Sequence, residues 1–224
     1  VSLAGRHVLI TAGPTYEPID PVRYIANRSS GKQGHALARA AKDMGAKVTL
    51  ISGPTNLPDM PGMTTIKVET AADMLDAALA ALPVDVAICA AAVADWRVAN
   101  QAAQKLKKEE GQGGLNLALA RNPDILATLS APGGRRPTLV IGFAAETETI
   151  ITHAQAKLSR KGADWIVAND VSPDTGIMGG DRTEVHLVSA TGVEDWPAMS
   201  KDEMAARLLT RAAENLHAMQ LAAE

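Results

Sequence analysis

The sequence predicts an α/β fold of three layers: a mostly parallel sheet, helices on both faces, and an antiparallel extension at one edge. Short apolar runs alternate with helix-period segments through the N-terminal half, which is the pattern of repeated right-handed βα crossovers. The run VDVAICAAA at 84–92 is apolar on both faces, as a strand buried between two helical layers must be. Near the C-terminus two strand patterns meet at Thr191-Gly192, which makes an antiparallel hairpin.

Each element has its own signal. HVLIT at 7–11 is the first strand, and a helix over about 30–44 follows it. In that helix Ala36, Leu37, Ala40, Ala41 and Met44 recur at helical spacing, and Gly45 supplies the C-terminal stop. KVTLIS at 47–52 is a β-branched second strand, 53–62 a Pro-rich loop, and TTIKVE at 64–69 a third strand. Thr70 with Asp73 opens a helix through Leu82, and 84–92 is the fourth strand. Alternation then breaks. Residues 93–114 carry Asp95, Arg97 and the charged run KLKKEE before Gly111, Gly113 and Gly114, a composition that predicts a mobile flap. A short strand at 115–120, a helix opened by Asn122-Pro123-Asp124, a strand at 138–143, a helix over about 147–160 and a strand at 164–167 follow. The hairpin at 183–189 and near Val193 leads to a last helix over 201–219, with Ser200 and Glu203 as its capping box. No repeat, linker or low-complexity segment interrupts residues 1–224, so one domain is expected. A sheet edge must be covered, and a homodimer joined through the hairpin edge is the expected cover.

Bulk properties exclude several classes. The chain has 224 residues and a formal charge of -3, without the basic stripe of a nucleic-acid surface. Asp85 and Asp95 bracket the most apolar run, so no membrane span is expected, and no secretory signal pattern opens the sequence. A single cysteine, Cys89, permits no internal disulfide and fits the reducing cytoplasm, where its apolar context makes it a small buried hydrophobe. The five histidines show no metal-type spacing.

The connection after the first strand is the most informative stretch. A βα connection usually takes about two to six residues. Here HVLITAGPTYEPIDPVRYIANRSSGKQG places a long polar segment between strand and helix, at the sheet end where open α/β folds bind ligands. Gly13, Ser29, Ser30 and Gly31 make the candidate phosphate loop, which feeds a helix N-terminus whose backbone N–H groups and dipole favour phosphate. The segment lacks G-x-G-x-x-G, and no Tyr-x-x-x-Lys pair is present. Gly31-Lys32 is not a P-loop, because residue 26 is alanine and residue 33 is glutamine. Phosphate is therefore handled outside the standard dinucleotide and NTPase motifs.

Five separated segments carry a resemblance: ITAGPTYEPIDPVRYIANRSSGKQG; AICAAAVADWR with KLKK starting at Lys105; ARNPDIL; VIGFAAET; and VANDVS. Together they closely resemble the phosphopantothenate–cysteine ligase family of bacterial coenzyme A biosynthesis, from the first strand to the last helix. The resemblance implies a Rossmann-like sheet and a CTP-dependent ligase. The carboxylate of 4′-phosphopantothenate attacks the α-phosphate of CTP, and L-cysteine's amine then displaces CMP from the acyl-cytidylate. It implies Mg²⁺ beside the triphosphate, with Asp95 poised for a cation or the ribose. Lys105, Lys157 and Lys161 match CTP-binding lysines, and Cys89, Ala90 and Ala91 a nucleotide-contacting backbone. Asn122, Pro123, Asp124, Ile125 and Phe143 match the remaining nucleotide contacts. Asn27 and Arg23 match positions that bind the acyl intermediate and, with Lys105, are the implied catalytic residues. In the common bacterial arrangement a flavin-dependent decarboxylase domain precedes the ligase on the native polypeptide. No flavin is assigned to the residues here.

Blander readings stand beside these. Lysines at helical spacing are ordinarily a solvated face, 89–91 could simply be strand packing, Phe143 could be core, and Asn27 a turn or cap residue. A nicotinamide oxidoreductase is disfavoured by the missing glycine fingerprint. A regulatory nucleotide-binding module explains the lysines and the dense polar loop less well.

Overall fold

The computed structural model describes residues 2–107, 114–146, 148–170 and 182–223. Along the chain run β1 (His7–Ala12), β2 (Glu17–Pro18), β3 (Tyr24–Ile25), α1 (Lys32–Asp43), β4 (Lys47–Ser52), β5 (Thr64–Lys67), α2 (Ala71–Ala81) and β6 (Val86–Cys89). There follow β7 (Trp96–Val98), β8 (Leu119–Arg121), α3 (Ile125–Ser130), β9 (Leu139–Glu146), α4 (Ile150–Lys161), β10 (Trp165–Asp170), β11 (Arg182–Ser189), β12 (Gly192–Ser200) and α5 (Lys201–Ala223).

Eight strands form one sheet in the order β12-β11-β10-β9-β6-β1-β4-β5. Six of them run parallel, while β11 and β12 are the expected antiparallel hairpin at one edge. From β1 the chain steps outward through β4 and β5, then returns to build β6, β9 and β10 on the other side. The order therefore reverses between β1 and β6, and this leaves a crevice at their carboxyl ends.

Strand alternation sorts the core. Val8, Ile10 and Ala12 pack with Leu37, Ala41, Leu208 and Leu209 of α1 and α5, whereas Leu9 packs with Met74, Ala78, Ile125 and Leu129 of α2 and α3. Each buried Val, Leu, Ile or Met among them contributes roughly 1.5–3 kcal/mol. Thr70 and Asp73 form the expected capping box on α2, and Ser200 and Glu203 exchange the same pair of bonds at α5. The strand expected over 84–92 is regular only to Cys89. Beyond it the ladder survives as single bonds, with Ala90 N–H donating to Thr11 O and Ala92 N–H to Gly13 O.

Two small ribbons depart from expectation. β2 and β3 form a hairpin inside the first loop, and β7 pairs antiparallel with β8, so the base of the expected flap is ordered structure. Residues 108–113 of that flap lie outside the described residues.

Candidate nucleotide and phosphate site

A cleft of about 920 Å³ opens at the carboxyl ends of β1, β6 and β9, over the point where strand order reverses. The N-terminus of α1, the 89–96 segment, 121–126, Phe143 and one face of α4 line it. Gly31 begins α1 in the left-handed region, with φ 75°; Lys32 N–H donates to Ser30 Oγ at 3.4 Å, and no acid stands in the first turn. The positive dipole end of α1 thus borders the cleft, where it favours an anion. Gly34 brings the helix close to the sheet: a Cβ there would stand 2.3 Å from Ala12 Cβ.

The lining is strongly basic. Arg28, Lys32, Arg121, Lys157, Arg160, Lys161 and Lys201 face only Asp95 and Asp124 among the described lining residues, in a chain whose formal charge is -3. Such concentration in a concave site raises the local potential for a polyanion. Lys157 Nζ donates to Phe143 O at 2.7 Å, which seats the ammonium at the carboxyl end of β9. Lys161 pairs with Asp124, whose other oxygen accepts from Ala127 N–H at 2.9 Å and caps α3. Burial opposes ionisation of Asp124, but the Lys161 bond and the cap outweigh it and hold its carboxyl below the usual range. Asn122 ties the walls together: its N–H donates to Asp95 O, and Nδ2 donates to Ala94 O at 2.7 Å.

Of the sequence-selected residues, the cleft gathers Asn27, Ser29, Ser30, Gly31, Cys89, Ala90, Ala91, Asp95, Asn122, Pro123, Asp124, Ile125, Phe143, Lys157 and Lys161. Asn27 is exposed, and its Nδ2 donates to Val93 O at 3.0 Å, which leaves the second amide hydrogen for a ligand. Burial pushes the Cys89 thiol up to about 12, so it stays protonated and serves as packing. Phe143 and Ala90 pack against the α1 and α5 core while also bordering the cleft. Among the described residues the Asp95 carboxylate has no hydrogen-bond or ion-pair partner, and it is exposed at the cleft. Among the described residues no three His, Cys, Asp or Glu side chains converge as metal ligands.

Arg23, Lys105 and Gly13 are not in the lining. Arg23 Nε donates to the buried Asp20 carboxylate at 3.0 Å, and its Nη2 donates to Leu106 O at 2.9 Å. Asp20 also accepts from Leu106 N–H at 3.1 Å, so both backbone groups of Leu106 are held and the adjacent Lys105 is exposed outside the cleft. Gly13, at φ 76°, makes the turn after β1, where a Cβ would meet Thr55 Cγ2 at 2.8 Å. Glu17 accepts from Ala71 N–H at 2.9 Å at the start of α2, and Thr15 Oγ1 accepts from Ala94 N–H at 3.0 Å. The first loop therefore divides. Residues 13–25 are scaffold that holds neighbouring segments, and 27–34 face the cleft.

Sequence reasoning missed several lining residues. Arg160 was accessible, since His153, Lys157, Arg160 and Lys161 share one face of α4. Trp96 with Arg121 over its ring at 5.7 Å, together with Lys201, comes from segments distant in sequence and left no local signal.

Comparison with known proteins places this arrangement. The chain is 44% identical over 208 residues to the coenzyme A biosynthesis bifunctional protein CoaBC of Vibrio vulnificus, covering 92% of this chain and 52% of that protein. To the CoaBC protein of Escherichia coli it is 44% identical over 205 residues, covering 91% of this chain and 50% of that protein. The chain thus spans about half the length of the curated relatives it matches. A crystal structure of the C-terminal domain of a CoaBC protein superposes with a TM-score of 0.77 at 38% identity, covering 96% of this chain and 97% of that one. The family model for the DNA/pantothenate metabolism flavoprotein C-terminal domain matches residues 3–216, and the chain belongs to that family.

Proposed function

We propose that this chain joins 4′-phosphopantothenate to L-cysteine at the expense of CTP, releasing CMP and pyrophosphate. The observation that carries this reading is the basic cleft at the strand-order reversal, with the N-terminus of α1 on one wall and the α4 cations on the other. The carbonyl chemistry demands such a site. A carboxylate is a poor acyl donor until its oxygen becomes part of a good leaving group. Its oxygen attacks the α-phosphorus, and the bond to the departing pyrophosphate breaks. Cysteine's amine then attacks the acyl carbon, the bond to CMP breaks, and the amine proton passes to solvent or a base.

The side chains divide the work by location. Lys157 and Lys161 lie where they can take the charge of the leaving pyrophosphate, and Phe143 with Ala90 and Ala91 offers a flat wall for the base. Asn27 can donate to the acyl carbonyl as it gains negative charge. Mg²⁺ commonly binds through one or two carboxylates plus substrate phosphates, so Asp95 suits the protein's share, and the ion would neutralise charge on the triphosphate. Lys105 acts in this reading only after its segment moves inward from the Asp20 and Arg23 contacts.

The same reading includes a homodimer, with its surface revised. Edge strand β12 carries Glu194, Asp195 and Pro197, which blunt an edge. Four exposed apolar side chains lie instead on the ribbons, Val22, Tyr24, Trp96 and Leu119, others being Leu115, Ile151, Met219 and Leu221, and β2 lies against β7. A decarboxylase domain on the native polypeptide fits the bifunctional name and greater length of the relatives. Action in the cytoplasm fits a coenzyme-forming ligase, and no described helix is long and apolar enough to cross a membrane. The test is to incubate the protein with CTP, Mg²⁺ and 4′-phosphopantothenate without cysteine, quench, and seek the acyl-cytidylate by mass spectrometry. Its conversion to the cysteine amide on adding cysteine supports the reading, and failure to form either species with folded protein refutes it.

A further inference from the structure

Asn122, a residue of the cleft, carries a buried acceptor with no partner among the described residues. Asn122 borders the cleft with its amide held: the backbone N–H donates to Asp95 O at 2.9 Å and Nδ2 donates to Ala94 O at 2.7 Å. The Nδ2 bond fixes which way the amide points, because a flip would set Oδ1 against the Ala94 carbonyl. Ala94 is itself anchored, with its N–H donating to the buried Thr15 Oγ1 at 3.0 Å. In this fixed orientation Oδ1 is enclosed and has no hydrogen-bond donor among the described residues. Buried acceptors in native proteins are nearly always paired, and an orphan at a binding cleft needs an explanation.

We propose that Asn122 Oδ1 is the acceptor for an exocyclic amino group of the nucleotide base, and that it makes the site select amino-bearing bases over keto bases. This rests on the ligase reading above and adds to it a determinant of base choice. The cytosine 4-amino group donates two hydrogens. Uracil presents a carbonyl oxygen at the same place, which would face Oδ1 acceptor to acceptor. The elements around Asn122 suit such a base: Ala90 and Ala91 have little bulk, and Phe143 supplies an apolar wall. A site built to hydrogen-bond a substrate N–H rejects the analogue lacking it far more strongly than a purely apolar pocket does, because its own polar group is then stranded.

The test compares pyrophosphate release with CTP and UTP, as kcat/KM for each, in the parent and two variants. The parent is expected to prefer CTP over UTP by about a hundredfold or more. Asn122→Ala removes the acceptor and also the bond to Ala94, so both rates fall, but the CTP to UTP ratio should shrink by about tenfold or more. Asn122→Asp keeps an acceptor there and should retain most of the ratio while losing rate with both nucleotides. A merely structural Asn122 would lower both nucleotides equally in both variants, and an unchanged ratio in Asn122→Ala overturns the proposal. If the parent releases no pyrophosphate from any nucleotide, the ligase reading itself fails, an outcome distinct from an unmoved ratio.

Discussion

Gly34→Ala puts one methyl group between α1 and β1, and the structure gives its size directly. The new Cβ would lie 2.3 Å from Ala12 Cβ and 3.0 Å from Ala12 Cα, with Thr11 O at 3.3 Å. Carbon atoms in contact sit about 3.5–4.0 Å apart, so α1 must retreat by about 1 Å or more. Overpacking of this kind costs about 1–3 kcal/mol, of which the better helix propensity of alanine returns up to about 1 kcal/mol. For a chain of this length each kcal/mol lowers Tm by about 2–4 °C, so a fall of several degrees is expected. The functional loss should be larger than the loss of stability. Moving α1 carries Ser29 to Lys32 away from the opposite wall of the cleft, and a shift of about 1 Å in a positioning element can cost about a hundredfold in rate. Scanning calorimetry and CTP-dependent pyrophosphate release read the two effects. Gly133→Ala is the control, since its Cβ would meet nothing within 4 Å. A Gly34→Ala protein with the parent's Tm and turnover would refute the close packing of α1 on β1 as the basis of the phosphate site.

Three further outcomes follow from individual residues. Asn27→Asp loses its amide donors and sets a carboxylate oxygen against Val93 O, so it should accumulate acyl-cytidylate and slow the cysteine step by about a hundredfold or more; quenched reactions analysed by mass spectrometry check this, and equal loss in both half-reactions contradicts it. Because burial pushes the Cys89 thiol up to about 12, native protein at pH 8 should resist iodoacetamide over hours, whereas denatured protein reacts at once; rapid labelling of the native protein would show the thiol to be accessible. The Arg23 guanidinium, with the N–H groups of Val22, Leu106 and Arg23, holds the Asp20 carboxyl well below the usual carboxylate range against the opposing effect of burial. A folded value below the unfolded one gives stability that is present above about pH 4 and lost as pH falls through the folded value, so Asp20→Asn should be less stable at neutral pH and show a weaker dependence below pH 4, measured by urea unfolding across pH.

Most of the sheet was legible because its strands and helices are long enough to carry their periods. The two helix caps at Thr70 and Ser200 were legible because a capping box is local. Ribbons β2–β3 and β7–β8 were not, since strands of two or three residues show no alternation. The first loop was conspicuous but carried two kinds of residue that sequence could not separate. Thr15, Glu17, Asp20 and Arg23 look like site chemistry, yet their partners are Ala94, Ala71 and Leu106, remote residues that no spacing rule connects. Lys157 and Lys161 were found through resemblance and helical spacing. Arg121 and Lys201 join them only through the topology of the sheet.

The central claim is that the basic cleft activates a carboxylate with a nucleotide before any amine is needed. Pyrophosphate release from CTP should be followed with 4′-phosphopantothenate and Mg²⁺ present and cysteine absent. A burst of about one pyrophosphate per active site is expected, dependent on 4′-phosphopantothenate, with turnover resuming when cysteine is added. Pyrophosphate release that needs no 4′-phosphopantothenate, or none until cysteine is present, would contradict it.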